Sequence, residues 1–182
     1  MEFRTATSQD QDRIVNLHID NWRETYRGAL ADRYLDDQIS DDRQQDWTQR
    51  LTHPAENQLV LVAKEGDALC GFVCAYGNHH AQFGTLIENL HSNKSHRGRG
   101  IGKRLFLQAA EWSLKTYPDA GLYLEVVASN TAAIGFYEAL GGIHVESNIW
   151  TPPGGGEVLE FSFYWENKEL KELINWKNSQ KQ

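Results

Sequence analysis

Arg97-Gly98-Arg99-Gly100-Ile101-Gly102-Lys103 lies between a strand-like run ending at His91 and a helical run from about Gly100 to Tyr117. Glycines let the backbone close tightly around an anion, and free N–H groups at a helix start bind phosphate oxygens. The flanking cations add Coulombic attraction. Two common phosphate loops do not fit. A P-loop would need glycine where Arg97 stands and Ser or Thr where Arg104 stands. A dinucleotide fingerprint would have Lys103 at its third glycine and a shorter approach from His91, although Glu125 could imitate its ribose-binding acid.

Outward from this loop the periodicity predicts alternating elements. Upstream, residues 2–6, Leu59 to Lys64, Leu69 to Tyr76 and Thr85 to His91 read as strands, with a turn at Glu65-Gly66-Asp67 and a loop carrying His79-His80. A helix starts at Thr7 or Ser8 and runs through Ile14, Leu17, Asn21 and Trp22. The stretch from Asp32 to Leu51 reads as one or two short helices with Ser40 as an N-cap. Downstream come the apolar strand Leu122 to Val127 and a helix from Asn130 to Leu140. Two strands at about 143–150 and 158–165 flank Pro152-Pro153-Gly154-Gly155-Gly156, and a charged tail helix follows. The expected fold is a single α/β domain with a mixed sheet.

Composition bounds the function. The chain has 182 residues, 25 acidic groups and 18 Lys plus Arg, for a net charge of −7. Hydrophobic residues at 40% and charged residues at 24% exclude a disordered chain. The longest strongly apolar run, Leu59 to Ala63, is far below the ~18 residues of a membrane span. No apolar segment follows Met1, so the expectation is a cytoplasmic protein. The acid surplus argues against nucleic-acid coating. It is uneven, however. Residues 94–104 hold five cations and no acid, which leaves 13 bases against 25 acids elsewhere. Residues 32–46 hold six aspartates against Arg33 and Arg43, and either cluster could be only a solvated face. Cys70 and Cys74, four apart in a strand, would sit ~13 Å from each other, too far for a disulfide, and no structural metal is expected.

Taken together, Arg97-x-x-Gly100-x-Gly102, the approach Glu88-Asn89-Leu90-His91, and Leu122-x-Leu124-x-Val126 leading to Asn130, Ala133, Phe136-Tyr137 and Leu140-Gly141 resemble the GNAT superfamily of N-acetyltransferases. The resemblance covers roughly residues 58–165. Trp22-Arg23-Glu24-Thr25-Tyr26-Arg27-Gly28 is similar to a stretch of one bacterial branch of that family, and equally fits an amphipathic helix burying Trp22 and Tyr26. The chain departs from the family pattern at Ser92, Lys94 and Gly142, the last at a position commonly held by Phe.

The resemblance implies a mostly antiparallel sheet of six to seven strands with helices on both faces. Residues 1–57 would form acceptor-side helices, 58–165 the acetyl-CoA core and 166–182 the tail. Acetyl-CoA would bind through Leu90, His91, Ser92, Arg97, Gly98, Arg99, Gly100, Ile101, Gly102, Lys103, Asn130, Ala133, Phe136 and Tyr137. Tyr137 matches the general acid; a phenol of pKa ~10 stays protonated at neutral pH and can donate to a departing thiolate. An alkyl ammonium of pKa ~10.4 must first lose a proton, and Glu88 and His91 are the candidate bases, on opposite strand faces unless a bulge intervenes. A backbone N–H near Leu90 would stabilise the acyl oxygen. Trp22, Tyr26 and Glu88 would meet the acceptor, a small-molecule or peptide amine, and Asp36, Asp37, Asp41 and Asp42 would attract it by their field. The implied protein is an acetyl-CoA-dependent N-acetyltransferase, monomer or homodimer; the alternative is an acyl-CoA-binding sensor without turnover.

Overall fold

The computed structural model describes residues 1–179, with side chains through Asn175. The strands are β1 (Glu2–Thr5), β2 (Gln58–Glu65), β3 (Ala68–His80), β4 (Gly84–Ser92), β5 (Leu122–Val127), β6 (Ile143–Trp150) and β7 (Val158–Trp165). Among the described residues they form one sheet in the order β1-β2-β3-β4-β5-β7-β6. Within it, β4 and β5 run parallel and the other neighbours antiparallel. The helices are α1 (Gln11–Thr25), α2 (Ile39–Thr52), α3 (Ile101–Thr116), α4 (Thr131–Ala139) and α5 (Asn167–Ser179).

Helices cover both faces because the central strands are apolar on both. Along β3, Phe72 and Cys74 join Ile14, Leu35, Ile39 and Trp47 on the α1/α2 side. Val73 and Ala75 join Leu105, Phe106, Leu124 and Trp165 on the α3/α5 side. A strand packed on two sides reads as an unbroken apolar run, as Leu69 to Ala75 does. Trp165, fully buried, donates its Nε1–H to the Leu140 carbonyl at 2.9 Å. Its indole also fills the space beside Gly142, where a Cβ would come within 2.5 Å of the ring. A side chain at 142 is therefore excluded, which accounts for the departure from the family pattern there.

The start of α1 is built by Asp10. Its Oδ2 accepts from the Thr7 N–H at 2.9 Å while its own N–H donates to the Thr7 carbonyl. Arg4 grips both carboxylate oxygens at 2.7 and 2.8 Å. Two expectations change. Ser40 lies inside α2 and does not cap it, because the helical path starts earlier, in a π-turn over Tyr34–Gln38 anchored by buried Leu35 and Ile39. His79 and His80 end β3 instead of sitting in a loop. The expected tail helix is present from Asn167 to Ser179, and the rest of that expectation, 180–182, lies outside the described residues.

The feature that makes a site is the short β4–β5 ladder. It pairs Thr85 with Leu122, Leu86 with Tyr123 and Ile87 with Leu124, and then stops. Both strands continue, β4 to Ser92 and β5 to Val127, so they diverge as a fork with unpaired backbone on its inner edges. A bulge sits at the branching point: Cys74 faces Asn89 but Ala75 faces Ile87, leaving Glu88 without a partner on β3.

Candidate active site

The fork opens into a cleft of about 1120 Å³ lined from α1, α2, β4, the Arg97 loop, β5, α4 and β7. Gly98 and Gly100 have φ of +77° and +75°, a conformation that favours glycine, and nothing lies within 4 Å of a Cβ at either position. Gly100 is the N-cap of α3 and offers no capping side chain, so the N–H groups of the first turn remain available to an anion. Across the fork, Asn130 caps α4 by accepting the Ala133 N–H at 3.2 Å. Tyr137 faces the cleft from α4, packed against Phe136, Phe163 and Trp165. Burial, with Tyr26 nearby, raises its phenol, which therefore keeps its proton at neutral pH.

Leu90, His91, Ser92, Arg97, Gly98, Gly100, Ile101, Gly102, Lys103, Asn130, Ala133, Phe136, Tyr137, Trp22, Tyr26 and Glu88 all line this one cleft. Arg99 does not. Its guanidinium pairs with Glu65 at 3.1 Å. Glu65 also lies within 4.8 Å of ligand atoms of Cys70 and His96, so three metal-type groups converge beneath the loop, with Glu65 already held by Arg99. Arg97 reaches back to α1, bonding Glu24 at 2.9 and 3.0 Å and Asn21 at 2.9 Å. Lys94 also pairs with Glu24, at 3.1 Å.

The bulge turns Glu88 and Asn89 toward the same arginine. Arg50 of α2 donates from Nη2 to Glu88 Oε1 at 2.9 Å, and from Nη1 to Asn89 Oδ1 at 2.8 Å and to Glu88 Oε2. Both oxygens of Glu88 are thus occupied. His91 packs on Phe72 and on the buried His18. Burial and the nearby Arg97 and Arg43 push His91 down to about 4, so its ring is neutral at physiological pH. His18 accepts the Trp47 Nε1–H on Nδ1 at 2.9 Å, and its Nε2 has no hydrogen-bond partner among the described residues. Burial lowers the His18 pKa as well.

The acidic stretch does less at the cleft than its charge implied. Asp36 is held by Arg27, and Asp42 by Arg43 and Tyr34. None of Asp36, Asp37, Asp41 and Asp42 lines the cleft; Asp46 does, and it pairs with Arg43 and Arg50. Carboxylates that do face the cavity free of ion pairs among the described residues are Glu125 of β5 and Glu160 of β7. Glu160 went unrecognised in the sequence, along with Arg50 and His18. The alternation Val158-Leu159-Glu160 was its only signal, and alternation does not say which face is inward.

A forked parallel pair, a glycine-capped loop before α3 and a buried phenol on α4 thus share one cleft. The chain matches the Acetyltransferase (GNAT) family over residues 13–142, and it belongs to that family. It is an N-acetyltransferase, and acetyl-CoA is its cosubstrate. No curated protein matches the chain. Among solved structures it is similar to a GCN5-related N-acetyltransferase of Rhodopseudomonas palustris, with 15% identity over 91% of this chain and 94% of that one, TM-score 0.72. NAA60 of Arabidopsis thaliana, solved with a bisubstrate analogue, shares 20% identity over 91% and 97%, TM-score 0.67. The PaiA N-acetyltransferase of Thermoplasma acidophilum, solved with coenzyme A, shares 20% identity over 87% and 96%, TM-score 0.62. At these identities the likeness is one of fold. No helix among the described residues is long and apolar enough to cross a membrane.

Proposed function

We propose that the protein moves the acetyl group of acetyl-CoA directly onto a primary amine of a small molecule or peptide. The observation that carries this reading is the fork itself. It places the anion loop before α3 on one side and Tyr137 on the other, along a single cleft. The Gly98–Lys103 backbone and Arg97 would hold the pyrophosphate, and the unpaired edges of β4 and β5 together with Asn130 would offer hydrogen bonds to the pantetheine arm. Tyr137 would then face the thioester, and a β4 N–H near Leu90 would donate to the acyl oxygen. Attack by the neutral amine on the carbonyl carbon forms the C–N bond. Collapse breaks the C–S bond, and the Tyr137 phenol protonates the departing thiolate.

Direct transfer is supported by the thiols. Cys70 and Cys74 are buried and free, and neither lines the cleft, so no described thiol is placed to carry the acetyl group. Two free thiols also suit a cytoplasmic location. Trp22 and Tyr26 wall the acceptor side. Tyr137→Phe tests the assignment in a thiol-release assay with acetyl-CoA and a pool of amines. The expected result is a fall in kcat of about 10²–10³ with acetyl-CoA affinity unchanged. A fully active variant removes Tyr137 from the role of acid.

A further inference from the structure

The ammonium form of an alkyl amine must be captured and deprotonated inside the cleft, and the strand-fork residues are poorly placed for that. Both Glu88 oxygens are on Arg50, and His91 is neutral with little basicity. The opposite wall is different. Glu160 of β7 pairs in register with Val127 of β5, so the two side chains share a face, and Glu125 lies two residues back along β5 on that same face. Both carboxylates line the cleft, and neither makes an ion pair or hydrogen bond among the described residues. Beside them stand Tyr26, Trp22 and Trp150, with the rings of Trp22 and Tyr26 at 5.3 Å and those of Trp22 and Trp150 at 6.1 Å. Carboxylates next to aromatic faces form a cation site; the Arg43 guanidinium already lies 4.9 Å from the Trp22 ring centroid, so the rings of Tyr26 and Trp150 are the ones left to a ligand.

On the acetyl-transfer reading above, we propose that Glu160, with Glu125 beside it, binds the acceptor's ammonium group and takes its proton, so that the acceptor is an aliphatic amine that enters as a cation. The balance is simple. R–NH₃⁺ gives one proton to the Glu160 carboxylate, and the free lone pair then attacks the thioester carbon. The C–S bond breaks, and the sulfur takes the Tyr137 proton. The second amine proton, lost as the amide forms, returns through water to the Tyr137 phenolate. Glu160 releases its proton to solvent, which leaves N-acetylamine, CoA thiol and one net proton. Burial and the neighbouring Glu125 raise the Glu160 carboxyl to about 7, which suits an exchange of protons near neutral pH.

The test compares wild type, Glu160→Gln, Glu160→Asp and Glu125→Gln in the thiol-release assay. The probes are 1,4-diaminobutane, n-butylamine, an alanyl peptide amide and 4-aminobenzoate, whose aryl amine is neutral at pH 7. Acetyl-CoA affinity by calorimetry and thermal melts verify that each variant is folded and loaded. The expected result is turnover of the aliphatic probes by wild type, with kcat/KM about 10² lower in Glu160→Gln. Glu160→Asp should recover part of that loss, Glu125→Gln should mainly raise KM, and acetyl-CoA affinity should be unchanged in all. If Glu160→Gln acetylates aliphatic amines within about threefold of wild type, the inference fails while acetyl transfer to amines stands. Preference for 4-aminobenzoate also overturns it. If wild type acetylates none of the amines, the reading of an amine acceptor fails, and this assignment fails with it.

Discussion

Replacing Asp10 with Asn probes the frame that delivers α1 to the cleft. The Asp10 side chain is only 1% exposed, Arg4 holds both its oxygens, and the Thr7 N–H adds a third bond. Arg4 first, and the Thr7 contacts after it, outweigh burial and hold the carboxyl down at about 2 against its ordinary 3.8. Each tenfold change in proton affinity is worth about 1.36 kcal/mol, so the ionised form contributes about 2 kcal/mol at neutral pH. Because the folded-state value is depressed, this stability is fully present well above pH 3.8. It fades as the pH falls through the interval and is gone below about 2. Urea unfolding at pH 7 should therefore show Asp10→Asn less stable by about 2 kcal/mol, with Tm roughly 4–8 °C lower. At pH 3 the gap should shrink to about half. An equal gap at pH 7 and pH 3, or a Tm within about 1 °C of wild type at pH 7, would refute the electrostatic account.

Further outcomes follow from the cleft and the core. Arg97→Ala should weaken acetyl-CoA binding about 10–100-fold by calorimetry, as expected for a lost charged hydrogen bond to phosphate. Glu24→Gln should act in the opposite direction. It frees Arg97 from its partner on α1, so acetyl-CoA should bind up to about fivefold tighter at low salt, with the gain shrinking as salt is added. Gly142→Ala would drive a methyl into the Trp165 indole and should cost about 1–3 kcal/mol in urea unfolding. Parallel loss of the Trp165 fluorescence signature would place the damage there.

The legible parts of the site were local in sequence. Arg97 to Lys103 announces an anion loop because the glycines and the helix start sit within seven residues, and Asn130 sits just ahead of the helix that it caps. Tyr137 was found through a family spacing, and its burial against Phe163 and Trp165 emerged only with the fold. Residues whose role depends on pairing across the chain were not legible. Arg50 meets Glu88 across 38 positions, and His18 meets Trp47 across 29. The strand 158–165 alternates equally well in either orientation, and Leu159 turned out to be 44% exposed while Glu160 faces the cleft.

The sequence by itself determined the elements, their order and the phosphate loop, since helix periodicity, capping and glycine conformations are set by neighbours along the chain. Tertiary structure decided the charge pattern that matters. The aspartates of 32–46 are largely consumed by Arg27, Arg43 and Arg50, whereas two glutamates on β5 and β7, without ion pairs among the described residues, line the same cleft. The physical reason is that a charge acts through the groups facing it, and sheet register and helix packing choose those groups.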